Sequence, residues 1–253
     1  MEKQRYYTDN EGPIAEIEMF ALQKAVELSK EIENIQQITI LIHTKGNTGY
    51  IERTIGEKYL KGLFNGTVSA YSNGPKIKIE TLRTYDKIYG WQKKNSILLA
   101  FGLDSKDLFK YDDDPNVKAI VAHQWMKSGV TEWAKAWNAT ELISNKKAQP
   151  TDLPDVIIQE AFNELSKAIN RSTGITHHMD NDRCKTYLRA LNKYNYELNP
   201  IKIKSYLVAN LNWDNRHAED VIKLIEKLNS GSYFMGGEKT GLQNHIKRWK
   251  SRI

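Results

Sequence analysis

The sequence predicts two units of different class: an α/β, Rossmann-like unit over residues 1–143, then a linker at 144–152 and an all-α unit over 153–253. Three observations predict this. Short β-branched apolar runs alternate with segments of helical spacing in the first part. A polar stretch from Ser144 to Asp152, with Lys146, Lys147, Gln149 and Pro150, then interrupts the pattern. Beyond it only helical spacing recurs.

From Pro13 to about Ile35, Ile14, Ile17, Ala21, Leu22, Ala25, Leu28 and Ile32 fall on one helical face among Glu and Lys. Ile38 to Ile42 is too short and too β-branched for a helix and reads as a buried strand. The turn formers His43 to Gly49 follow, and helical spacing resumes from Tyr50 to Phe64, ending at Asn65-Gly66. Val68 to Tyr71 and Lys76 to Thr81 flank Asn73-Gly74, a hairpin signal. Ile97 to Phe101 and Val117 to Ala122 are two more strands, each followed by a helix, at Asp104 to Tyr111 and Val130 to Trp137. About five strands in a mainly parallel sheet, with the hairpin as an insertion, are therefore expected. In the helical unit the periodic segments are Leu153 to Ile169, Asp182 to Tyr194, Pro200 to Leu211, Asn215 to Leu228 and Gly241 to Lys250.

With 253 residues the chain can bury cores that need no metal or disulfide, and its single cysteine, Cys184, can form no intrachain bridge. A reducing, cytoplasmic setting is expected. Met1 to Tyr6 contain no signal-peptide core, and no run approaches the ~18 apolar residues of a membrane span. Lys plus Arg number 37 against 31 Asp plus Glu, a surplus of 6 that permits attraction to polyanions. The surplus clusters only at the C-terminus, in Lys247, Arg248, Lys250 and Arg252.

Ligands of parallel sheets bind beyond the carboxyl ends of the strands, where loops converge and helix N-termini present free N–H groups. The residues expected at those ends are His43, Lys45, Asn47, Gly49 and Tyr50 after the first strand, Arg83 and Tyr85 after the hairpin, and His123 and Trp125 after the last strand. Lys45 and Arg83 suit a phosphate, Tyr50 and Trp125 suit a ring, Tyr85 reaches the same rim as a further ligand contact, and His43, His123 and Glu132 are the candidate catalytic groups. Gly46-Asn47-Thr48-Gly49 is neither a Walker A loop nor a dinucleotide fingerprint, so plain turn chemistry explains it equally well. Asp112-Asp113-Asp114-Pro115 and His177-His178 with Asp180 and Asp182 lack metal-site spacing, and a solvated turn and a helix cap account for them better. No motif points to a cofactor.

Asn199-Pro200 to Leu228 has the lengths of a helix-turn-helix, with Arg216 and Lys223 facing DNA and Ser230 to Gly237 as a small wing. Glu219, Asp220 and Glu226 on the recognition helix oppose that reading, and a plain helical bundle explains the same spacing.

Thr44-Lys45-x-Asn47-Thr48-Gly49-Tyr50, Leu82-Arg83-Thr84-Tyr85, Gln124-Trp125 and Asn170-x-Ser172-Thr173-Gly174-Ile175-x-His177 resemble a set of uncharacterised bacterial proteins of similar two-domain layout, over residues from about Ile38 to Trp249. The resemblance implies no activity.

The leading expectation is a binding protein that senses a phosphorylated small molecule or nucleotide through its α/β unit and contacts DNA or a protein partner through its helical unit. A rival is a nucleotide-processing enzyme that cleaves a glycosidic or phosphate bond, as in bacterial antiphage defence. A third is a structural subunit of a larger complex.

Overall fold

The computed structural model describes residues 3–253, less the side chains of Tyr50, Thr54 and Ile55. It contains two compact units, Met1–Gln149 and Pro150–Ile253. The first is built on β1 (Gln4–Thr8), α1 (Ala15–Glu31), β2 (Gln37–Ile42), α2 (Gly49–Ile55), α3 (Glu57–Asn65), β3 (Val68–Ser69), β4 (Lys76–Thr81), α4 (Leu82–Tyr85), β5 (Ser96–Phe101), α5 (Ser105–Asp112), β6 (Val117–His123), α6 (Thr131–Ala136) and β7 (Thr140–Glu141).

These strands form one seven-stranded sheet in the order β3-β4-β2-β5-β6-β1-β7, parallel throughout except for β3, which pairs antiparallel with β4. The two strands beyond the expected five or so are β1, whose Gln-Arg-Tyr-Tyr-Thr has no apolar run, and the two-residue β7. The segment expected as one helix from Tyr50 is two, because Gly56 adopts φ +83° between α2 and α3. That backbone angle suits glycine and ends a helix.

Alternation along the strands sorts side chains to two faces. Ile38, Ile40 and Ile42, Ile77 and Ile79, Ile97, Leu99 and Phe101, and Ala119 and Val121 pack under Ala21, Ala25 and Leu28 of α1, Ile51 of α2, and Leu60 and Leu63 of α3. Leu41, Leu98, Ala100, Ile120 and Ala122 are buried on the opposite face, the face of α5 and α6 with Leu108, Phe109 and Trp133. A buried ion pair ties β1 to α5 on that face, with Arg5 Nε 2.8 Å from Asp112 Oδ2.

The second unit comprises α7 (Val156–Ala168), α8 (His178–Lys193), α9 (Pro200–Ser205) running into a π-helical turn at Tyr206–Asn210, α10 (Asn215–Asn229) and α11 (Leu242–Lys250). Asn199 caps α9 by accepting the Lys202 N–H, with Pro200 in the first turn. Cys184 is wholly buried on α8, and burial pushes its thiol up to about 12. No helix among the described residues is long and apolar enough to cross a membrane.

Candidate functional site

After β2 the chain leaves toward the face of α1 to α3, and after β5 it leaves toward the face of α5. The carboxyl ends of these two adjacent strands thus part, as at the ligand crevice of doubly wound sheets. His43 lies there, exposed, its Nε2 3.1 Å from the carbonyl oxygen of Gly102. A carbonyl only accepts, so Nε2 is the donor in this contact.

The remaining expected residues of that rim do not converge on His43. Lys45 Nζ sits 5.3 Å from the centroid of the Phe64 ring. Asn47 accepts from the Thr44 N–H at 3.1 Å and from its hydroxyl at 2.8 Å, which is turn chemistry. Gly49 is the exposed first residue of α2, Tyr50 has its side chain outside the described residues, and Arg83 is exposed on α4. Glu132 is exposed in the first turn of α6.

His123 is fully buried at the end of β6. Its Nε2 lies 2.7 Å from the Gly12 carbonyl and its Nδ1 2.6 Å from the Thr8 hydroxyl. Nε2 therefore donates and Nδ1 accepts, which uses both nitrogens. Burial holds its pKa below the ordinary value, and the Gly12 bond opposes that only in part. Trp125 packs against Gly102 and donates its Nε1–H to Glu18 of α1 at 3.1 Å. Both residues anchor the segment that leads from β1 into α1. The Asp-Asp-Asp run splits in the same structural way, Asp112 turning to Arg5 and Asp114 to Lys93.

Tyr85 points away from the rim and into a pocket of about 300 Å³ on the α5 side of the sheet. This pocket exists because the β4-to-β5 crossover is thin. Parallel strands are usually joined through a full helix. Residues 82–95 contain only the single-turn α4 and a 3₁₀ turn at Gly90–Gln92, so part of the sheet stays uncovered. The floor is polar and partly buried: Lys76, Lys78 and Glu80 alternate on β4 opposite the buried Ile77 and Ile79, beside Gln37 and the buried Thr39 of β2 and Ser96 of β5. Lys93 and Lys94 complete the wall.

The charges there are only half compensated. Lys78 pairs with Glu80 at 2.6 Å and Lys93 with Asp114 at 2.6 Å, whereas Lys76 meets the neutral Ser69 hydroxyl at 2.8 Å and Lys94 is exposed. Four lysines against two carboxylates leave an excess of two positive charges. Burial works against ionisation of Asp114, but hydrogen bonds from Lys93 and Asn116 outweigh it and hold the carboxyl below its usual range. Burial, then the Asp114 charge, pushes the Tyr85 phenol well above its usual range, so it stays protonated and donates to Asp114. Sequence reasoning passed over these lysines. The signal was present in Lys-Ile-Lys-Ile-Glu, an alternation that marks a strand with one face left uncovered.

In the helical unit the four C-terminal cations divide. Arg248 makes a two-pronged contact with Glu164, at 3.0 and 2.5 Å, and Arg252 reaches Glu164 at 2.6 Å and Glu160 at 3.1 Å. Lys247 and Lys250 are exposed, while Ile246 and Trp249 are buried against the bundle. On α10, Arg216 and Lys223 are exposed, and Lys223 pairs with Asp220 at 3.0 Å. Ser230 to Gly237 forms no strands. It is a loop strapped to α8 through Arg189, which donates to the carbonyls of Phe234, Gly236 and Gly237, and through Asp182, which accepts the Gly237 N–H. The helix-cap role expected of Asp180 or Asp182 is absent, since α8 begins after His177.

Residues 154–250 match DUF1889, a domain of unknown function. The DUF1889 region covers α7 to α11 and none of the sheet. Comparison with curated proteins and with solved structures gives no match.

Proposed function

We propose that the α/β unit is a binding module for a phosphorylated small molecule or nucleotide, held in the lysine-lined pocket on the uncovered face of β4 and β2. The observation that carries this reading is the uncompensated pair of charges inside a concave site. A phosphate monoester carries about −1.5 to −2 at neutral pH, which matches that excess. The volume, about 300 Å³, is at the lower end for small-ligand sites. Gln92, and Gln37 held by its 2.8 Å bond to the Thr39 hydroxyl, add neutral hydrogen-bonding groups around the cations, which suits orientation of a ligand that Lys76 and Lys94 attract.

Titration calorimetry with inorganic pyrophosphate and with a nucleoside monophosphate tests it. Lys76→Ala and Lys94→Ala each lower affinity, by about 1.5 kcal/mol or somewhat less given their exposure to water. Lys45→Ala and Arg83→Ala leave it unchanged, because neither lines the pocket. Equal binding by the wild type and both pocket variants would place the ligand elsewhere.

A further inference from the structure

The segment that walls the lysine pocket also carries two of the most exposed aromatic side chains among the described residues. Tyr89 is 67% and Trp91 81% exposed, and their rings are stacked, with centroids 6.4 Å apart and planes within 8°. Two aromatic rings stacked together in water form a contiguous apolar patch, which singly scattered side chains do not. These two are not on a loose loop. The Tyr89 carbonyl accepts the N–H groups of Gln92 and Lys93 at 2.8 and 3.2 Å, which fixes the 3₁₀ turn between them. The same segment carries Ile88, Gln92, Lys93 and Lys94 into the pocket wall, and Lys87 is exposed beside it.

Basic side chains interleaved with rigidly presented aromatics are what a single-stranded nucleic acid requires. Cations track its phosphates while flat rings take its bases, and every base has a face to stack. A duplex keeps its bases stacked inside and offers such rings nothing. A phosphorylated metabolite without a ring would use the pocket alone, and a single nucleotide has one base where two rings are presented. We infer that this face binds single-stranded nucleic acid, its backbone phosphates drawn to Lys76 and Lys94 and neighbouring bases stacked on Tyr89 and Trp91. The inference rests on the pocket being an anion site, as proposed above, and names the class of ligand.

The test uses the full chain and two probes, a fluorescein-labelled oligothymidylate and inorganic tripolyphosphate, the second as a competitor and by calorimetry. Wild-type protein binds both, the single strand more tightly than a duplex of the same length. The Tyr89→Ala/Trp91→Ala variant, altered only at exposed positions, keeps its thermal midpoint and its tripolyphosphate affinity. It loses at least about thirty-fold in affinity for the single strand, the scale of two lost base stacks at the low end of their range. Lys94→Ala weakens both probes and lowers the salt slope for the strand by about 0.7, one phosphate's share. Tripolyphosphate binding without single-strand binding, or single-strand binding indifferent to Tyr89 and Trp91, would overturn the inference and leave the pocket reading standing. Binding of neither probe would remove both.

Discussion

Thr8, the last residue of β1, and His123, the last residue of β6, sit in register on adjacent strands and share a 2.6 Å hydrogen bond in which the hydroxyl donates. The second ring nitrogen donates to Gly12 at 2.7 Å, so one neutral imidazole closes the end of β1 and the start of the segment toward α1. A proton added to Nδ1 would face a hydroxyl already donating, at a side chain that is fully buried.

The pH dependence follows from the sign of that shift. The folded state holds the His123 pKa below its ordinary 6.5, so the unfolded chain binds more protons between the two values. The stabilisation is fully present above the unfolded value and is lost as pH falls from about 6.5 toward the folded one. Urea midpoints at pH 7.5 and 5.5 should fall more for the wild type than for His123→Gln, which keeps a donor for Gly12 and cannot titrate. Parallel falls in the two proteins would show that His123 contributes nothing to the slope.

Gly102 offers a second test of the same rim. Its φ is +68°, and a Cβ placed there would lie 2.5 Å from two ring atoms of Trp125. Gly102→Ala therefore has to adopt a left-handed backbone and also displace an indole held by Glu18. A loss of about 2 kcal/mol is expected by chemical denaturation, with a shift in tryptophan emission. An unchanged midpoint would mean that the indole moves freely.

Asp112 should be the most costly single carboxylate to remove from the sheet unit. Its side chain is 1% exposed and serves Arg5 Nε at 2.8 Å, Arg5 Nη2 at 3.1 Å and the Trp133 indole N–H at 2.8 Å. Asp112→Ala leaves a buried guanidinium and an indole N–H without that acceptor, at a cost of about 3 kcal/mol or more. Hydrogen exchange should lose protection first in β1, which Arg5 ties down. Uniform protection across the sheet in the variant would show that the pair does not hold the strand.

Most of the architecture could be read from local pattern, since β2, β5 and β6 are apolar runs too short for helices and each precedes a segment of helical period. What escaped depends on distant partners. Gln-Arg-Tyr-Tyr-Thr becomes β1 only because β6 and β7 flank it, and no periodicity within five residues announces that. The rim residues after β2 were legible as a turn, but whether Lys45 or Arg83 would face His43 is a question of side-chain direction. The lysine pocket needed the register of β4 on β2 and the thinness of one crossover, neither of which composition contains. Counting cations along the C-terminus also left out the acids that pair with two of them, which lie 84 to 92 positions earlier in the chain.

That last relationship sets the final prediction. If all four terminal cations were free, duplex binding through them would show a log-log salt slope of about −3.6, but Glu164 and Glu160 occupy Arg248 and Arg252, which halves it to about −1.8. Trp249, fully buried and edge-on to Tyr187 at 5.1 Å, and Ile246 meanwhile dock α11 on the bundle. Truncation after Gln243 should therefore act on the fold before it acts on any ligand. A second, earlier thermal transition is expected in the truncated chain, and Trp249→Ala alone should cost about 3 to 5 kcal/mol. Lys247→Ala/Lys250→Ala should leave the melting curve where it is, since both side chains lie in water. A truncated chain that melts like the wild type yet loses steep, salt-sensitive duplex binding would reverse the assignment, making the terminal helix a nucleic-acid contact rather than a packing element.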